Sequence, residues 1–127
     1  ALPEIYSTGH RNPQGVVVVN GVPYAHEHGA RGGDELNHLT PGANYGWPLT
    51  TGGVDYTYAR ITPYRSLPGI TEPLTEWTPS IAPAGLAWYD GALFPAWRGS
   101  FLVAALAERS VRRVPMVNGT PGPQELL

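Results

Sequence analysis

Cysteine is absent from this 127-residue chain, and so is lysine: all eight basic residues are arginine. The first absence excludes disulfides, thiol nucleophiles and cysteine-ligated metals. The second excludes Schiff-base lysines and the lysine of a phosphate-binding loop. Charged residues make up only 14% of the chain, and the formal net charge of −2 leaves no broad basic face for nucleic acid. Long apolar runs are missing too. The longest, 101–107, has seven residues, against the ~20 that a membrane-spanning helix needs. No secretory signal is visible and the chain does not begin with methionine, so a processed or truncated product is expected. Gly-x-Ser-x-Gly elbows, phosphate loops and dinucleotide fingerprints are absent as well.

Glycine (16) and proline (14) are abundant, and hydrophobic residues reach 42%. That balance argues against disorder and long helices, and for short strands joined by tight turns. The run 16–19 is followed by Asn20-Gly21, a strong two-residue hairpin signal, and then by 22–25. A third strand is read at 35–39, closed by Thr40-Pro41-Gly42. Order returns at 85–89, 100–106 and 110–116, with a last turn at Asn118-Gly119. No segment has helical periodicity with caps, so the chain reads as all-β. Asn12-Pro13-Gln14-Gly15 and Ala82-Pro83-Ala84-Gly85 each open a three-strand group. Removing an irregular insert of roughly thirty residues leaves a period of about 40, that of a propeller blade. The expected layout is blade A at about 10–43, a long irregular loop insert at about 44–78, and blade B at about 79–127. Residues 4–7 and 125–127 read as strands of neighbouring blades, which makes this about two blades of a larger ring.

The densest polar cluster is His26-Glu27-His28-Gly29-Ala30-Arg31-Gly32-Gly33-Asp34-Glu35. Its glycines allow close backbone approach, and its carboxylates and carbonyls suit a hard cation such as calcium. A zinc or iron site on His26 and His28, which share a strand face, is the competing metal reading. A polar loop with Arg31 paired to Asp34 or Glu35 explains the same residues without a ligand. Gly9-His10-Arg11-Asn12-Pro13-Gln14-Gly15 offers a forked guanidinium beside an amide, suited to planar ligands rich in carboxylate or carbonyl oxygens, or else a strand-connecting turn. The tyrosines and tryptophans between positions 45 and 77 line a flat pocket for a ring-shaped ligand or plug a loop-rich fold.

These strings, with Asn37 completing the second and Asn44-Tyr45-Gly46-Trp47-Pro48 as a third, resemble the soluble aldose sugar dehydrogenases of the glucose/sorbosone dehydrogenase family, which use pyrroloquinoline quinone (PQQ). A weaker match is Pro79-Ser80-Ile81-Ala82-Pro83-Ala84-Gly85 with Phe94-Pro95-Ala96-Trp97. The resemblance spans essentially the whole chain and implies about two blades of a six-bladed β-propeller. It places Arg11 and Asn12 on the quinone, with Tyr56 and Ala105 lining its pocket. It places the backbone carbonyls of Gly29 and Ala30 on a calcium ion bound with the quinone, and Glu35 with the Tyr45 carbonyl on a second, structural calcium. The family usually carries proline where this chain has Ala30. One branch has a lysine near Ala107, and its absence here places the chain with the broader aldose branch. The family's general-base histidine matches none of the four histidines present and is expected upstream.

The resemblance implies a segment of a quinoprotein oxidoreductase that oxidises aldose sugars to lactones by hydride transfer to PQQ, with calcium and an external electron acceptor. Arg11 is the residue expected to stabilise charge developing on the quinone oxygen. A periplasmic or secreted location goes with it. The isolated segment is expected to be inactive. Its open sheet faces are expected to drive self-association, first as a trimer, since two of six blades make roughly a third of a turn, then as a swapped dimer. The alternative is a non-catalytic propeller fragment that acts as a scaffold or sugar-binding surface.

Overall fold

The computed structural model describes residues 2–127. Two antiparallel sheets account for its regular structure. The first has the order β1 (Pro13–Val19), β2 (Val22–Glu27), β3 (Asp34–His38) and β4 (Thr75–Trp77). The second runs β5 (Pro83–Tyr89), β6 (Ser100–Ala105), β7 (Ser110–Val117) and β8 (Thr120–Pro121), with β9 (Glu125–Leu126) also paired to β7. One 3-10 turn, Pro95–Trp97, interrupts the β5–β6 connection. Among the described residues there is no α-helix, and no helix long and apolar enough to cross a membrane.

Local chemistry explains the hairpins. Asn20 (φ 50°) and Gly21 (φ 80°) adopt the left-handed pair that a two-residue hairpin requires, and Val19 then faces Val22. Asn118 (φ 52°) and Gly119 (φ 76°) do the same between β7 and β8. Alternation along the strands builds one core between the two sheets. Leu36 and Trp77 from the first meet Ile81 and Phe101, Val103, Ala105 and Val114 of the second, flanked by Val17, Val19, Tyr24, Leu86 and Trp88. Each large side chain buried there contributes roughly 1.5–3 kcal/mol of transfer free energy. Gln124 bolts the sheets together at one margin. Its Oε1 accepts the Trp77 indole N–H at 2.8 Å and an Arg112 N–H at 3.2 Å, while its amide donates to Thr75 Oγ1 at 3.2 Å.

Three placements differ from the sequence reading. The insert does not run between the sheets to its end. Thr75–Trp77 pairs with β3 as the fourth strand of the first sheet, so the irregular stretch lies between β3 and β4. Three residues give too little alternation to register as a strand. Residues 125–126 pair with β7 through Arg112 and Arg113, and the Arg113 guanidinium holds Glu125 at 2.8 Å. They belong to the second sheet's own edge and do not open a further sheet. Residues 4–7 form no strand, and Thr8 makes an isolated bridge to Asn44.

Candidate functional site

Antiparallel alternation brings the start of β1, the end of β2 and the start of β3 to one end of the first sheet. The equivalent ends of β5, β6 and β7 lie beside them. The loops there touch directly: Ile81 N–H and Ala82 N–H donate to Asp34 Oδ2 at 2.9 and 3.0 Å, and His28 Nε2 meets Pro83 O at 2.6 Å.

Glu27, last in β2 and buried, organises the first of these loops. Its Oε2 accepts from His10 Nδ1 at 2.6 Å and its Oε1 from the Arg11 backbone N–H at 2.8 Å. His10 Nε2 accepts from Ser7 Oγ at 2.9 Å, and its ring stacks on Tyr45 at 4.8 Å. So fastened, Arg11 sends its guanidinium across to the Gly29 loop. Nη1 donates to Gly29 O at 2.8 Å and His28 O at 3.4 Å, Nη2 approaches the Tyr56 hydroxyl at 3.4 Å, and Cζ lies 5.4 Å from the Trp47 ring centroid. The backbone is tightly folded at this point. A Cβ on Gly29 would fall 2.0 Å from Gly32 O and 2.6 Å from the Gly33 carbonyl.

On the same face three carboxylates stand abreast, Glu27, Glu35 and Glu76 on β2, β3 and β4. Burial lifts the Glu35 carboxyl to about 7. Glu27 and Glu76 add to that rise, against a lowering hydrogen bond from Asn37 Nδ2 at 3.2 Å. The side chains do not converge: among the described residues no three His, Asp or Glu groups meet at a metal-binding point. Arg11, Glu27, Glu35, Tyr45 and Thr50 instead line a cavity of about 10 Å³, room for roughly one water or one ion.

The expected site residues therefore fall into groups. Arg11, Gly29 and Tyr56 are joined by hydrogen bonds. Glu35 and Tyr45 share the small cavity. Asn12 lies exposed next to Arg11, with its side chain on Gln14 and its carbonyl on the His28 N–H. Ala30 follows Gly29 in the loop. Ala105 sits apart, buried in the core between the sheets. The histidine-metal reading finds no third ligand: His28 Nε2 donates to Pro83 O at 2.6 Å, and both ring nitrogens of buried His26 are without partners. Arg31 pairs with neither Asp34 nor Glu35. Its guanidinium lies 3.9 Å from the Tyr58 ring centroid.

Two roles escaped the sequence reading, although the residues lie in its polar strings. Glu27 and His10 pair across 17 positions, which no local motif shows. Asp34 was legible only as a carboxylate following two glycines. Its partners are Gly29 N–H, Ser80 Oγ and the N–H groups of Ile81 and Ala82.

The model of the family described as Glucose / Sorbosone dehydrogenase matches residues 1–125. The aldose sugar dehydrogenase YliI of Escherichia coli is 39% identical over 123 residues, covering 94% of this chain and 33% of its own. A crystal structure of a glucose dehydrogenase superposes with a TM-score of 0.94 at 43% identity, over 98% of this chain and 37% of that one. The PQQ-bound aldose sugar dehydrogenase of Streptomyces coelicolor gives a TM-score of 0.75 at 28% identity, over 97% and 32%. The chain thus spans about a third of the length of the relatives it matches.

Proposed function

The chain belongs to the glucose/sorbosone dehydrogenase family, and from that premise we propose that it forms part of the site of an oxidoreductase that converts aldose sugars to lactones, with PQQ and calcium as cofactors and an external electron acceptor. The observation that carries this reading is the arrangement of Arg11, whose guanidinium is anchored on the Gly29 and His28 carbonyls and borders Tyr56.

The residues present fit both groups. A guanidinium fixed on the His28 and Gly29 carbonyls suits a planar anion rich in carbonyl and carboxylate oxygens, and Asn12 follows it in the chain. Glu35, raised to about 7 by burial and by the neighbouring Glu27 and Glu76 carboxylates, suits a cation, with the cavity shared by Tyr45 and Thr50 as its place. Gly29 O already accepts from Arg11, so a calcium ion held by the Gly29 and Ala30 carbonyls would share that oxygen with the guanidinium. When bound, the quinone supplies the hydride acceptor for C1 of the sugar.

The chain's own contribution is positioning and charge. Glu27 and His10 hold the Arg11 backbone, so the guanidinium needs little reorganisation to stabilise negative charge beside it. Tyr56 and Trp47 border Arg11. The base that removes the hydroxyl proton belongs, on this reading, to another part of the protein, and a periplasmic or secreted location is part of the same proposal. The test is reconstitution of the intact protein with PQQ and calcium, followed by aldose oxidation with a dye acceptor. Cofactor-dependent turnover supports the proposal. Sugar binding with no turnover favours a non-catalytic scaffold or sugar-binding surface instead.

A further inference from the structure

We propose that Asp34 is a positioning residue that orients the His28–Gly29 peptide toward Arg11 and locks the loops of the two sheets in register at the candidate site. The connection to cofactor binding rests on the function proposed above; the positioning itself does not.

Asp34 is fully buried at the start of β3. Among the described residues it makes no ion pair, and its oxygens are satisfied by hydrogen-bond donors alone. The donors divide unequally. Oδ2 accepts three: Ser80 Oγ at 2.5 Å, Ile81 N–H at 2.9 Å and Ala82 N–H at 3.0 Å. Oδ1 accepts one, the Gly29 N–H at 2.9 Å. Charge-assisted bonds of this kind are stronger and more directional than neutral ones.

A trans peptide is planar, with its N–H and C=O pointing in opposite directions. Holding the Gly29 N–H on Oδ1 therefore turns the His28 carbonyl the other way, where Arg11 Nη1 lies 3.4 Å off. The next carbonyl, Gly29 O, takes the same Nη1 at 2.8 Å. On its other side Asp34 organises 80–82, whose Ile81 and Ala82 carbonyls accept from Ala107 and Leu106. One buried carboxylate thus spans the Arg11–Gly29 contact and the equivalent loops of the second sheet.

Asp34→Asn separates positioning from bulk stability. Asparagine keeps one acceptor oxygen, which the three-donor side claims, so its NH₂ faces the Gly29 N–H and two donors oppose each other. Ser80→Ala is the control, since it removes a donor from Oδ2 and leaves the Gly29 contact intact. In the intact, cofactor-free protein, hydrogen-exchange protection of the Gly29 amide should fall about 10- to 100-fold in Asp34→Asn. The Arg11 side-chain N–H resonance should shift with it. Ser80→Ala should lose stability while leaving both signals in place. Quinone affinity, measured by titration, should weaken about tenfold or more in Asp34→Asn and remain within about twofold in Ser80→Ala. Unchanged Gly29 and Arg11 signals in folded Asp34→Asn, or equal movement in Ser80→Ala, would overturn the proposal.

If Asp34→Asn does not fold, Arg11→Ala decides the matter. Gly29 protection should survive loss of the guanidinium when Asp34 holds the peptide, and its collapse would assign the holding to Arg11. Wild-type protein that binds no quinone yet shows the spectral pattern overturns the functional reading and leaves the positioning role standing.

Discussion

The two sheets are alike in topology and opposite in what they bury. The second contributes Phe101, Val103, Ala105 and Val114 to the core, and Ser100 is its buried polar residue. The first, with its insert, buries His26, Glu27, Asp34, Asn37 and Thr50 alongside Ala25, Leu36, Tyr45 and Trp77. Buried polar groups generally need partners: Glu27 finds them in the loop before β1 and Asp34 in the Gly29 loop and residues 80–82, whereas the His26 ring nitrogens have none. The second sheet is accordingly a scaffold held by apolar packing. The first carries the candidate chemistry and depends on that scaffold for its geometry.

The contrast can be broken at several points. Phe101→Ala should cost about 3–5 kcal/mol, because a fully buried ring leaves a cavity at the centre of the packing. Urea denaturation measures this, and a loss below about 1 kcal/mol would show that the second sheet is not the scaffold. Arg11→Ala should do the reverse, lowering turnover of the reconstituted protein about 10²- to 10³-fold with little change in the denaturation midpoint. Arg11→Lys should not restore it, since a point charge cannot replace the two-pronged contact.

Glu35 gives a pH signature to the first sheet. Burial holds its folded carboxyl at about 7, above the 4.5 of an unburied glutamate, so between those values the folded state holds more proton than the unfolded chain. Stability is then fully present below about pH 4.5 and lost as pH rises through about 7, by roughly 3 kcal/mol. Melting curves across that range should show the decline in the wild type and flatten in Glu35→Gln. On the calcium proposal, added calcium should raise the wild-type melting temperature at pH 8 and leave Glu35→Gln unmoved; equal responses would remove Glu35 from the metal site.

The smallest expected effect compares two glycines. Gly29→Ala drives a methyl into the Gly32 and Gly33 carbonyls and should cost about 1–3 kcal/mol. Gly85→Ala, in β5 of the second sheet, meets only the Ala104 Cβ at 3.8 Å and should stay within about 0.5 kcal/mol. Matching midpoints for the two variants would show that the Gly29 loop can yield.

The strands and hairpins were legible because their causes are local. Asn20-Gly21 and Asn118-Gly119 supply paired left-handed conformations, and the short apolar runs at 16–19, 100–106 and 110–116 are bounded by turn residues. Arg11, Gly29 and Glu35 stood out for a similar reason, since each lies in a short string dense with donors, glycines or carboxylates. The fourth strand, Thr75–Trp77, was not legible. Its pairing with β3 bridges more than thirty positions of irregular chain, and three residues carry no period.

What the sequence determined by itself was the all-β class, the hairpin positions and the residue types available for chemistry. Tertiary structure alone decided which of those residues act together. Glu27 reaches back 17 positions to His10, and Asp34 reaches forward 46 to 48 positions to Ser80, Ile81 and Ala82. Most of Asp34's donors are backbone N–H groups, which every residue except proline carries. No side-chain pattern can announce such partners. A buried carboxylate finds them only after the apolar faces have packed and the loops have been brought to one end.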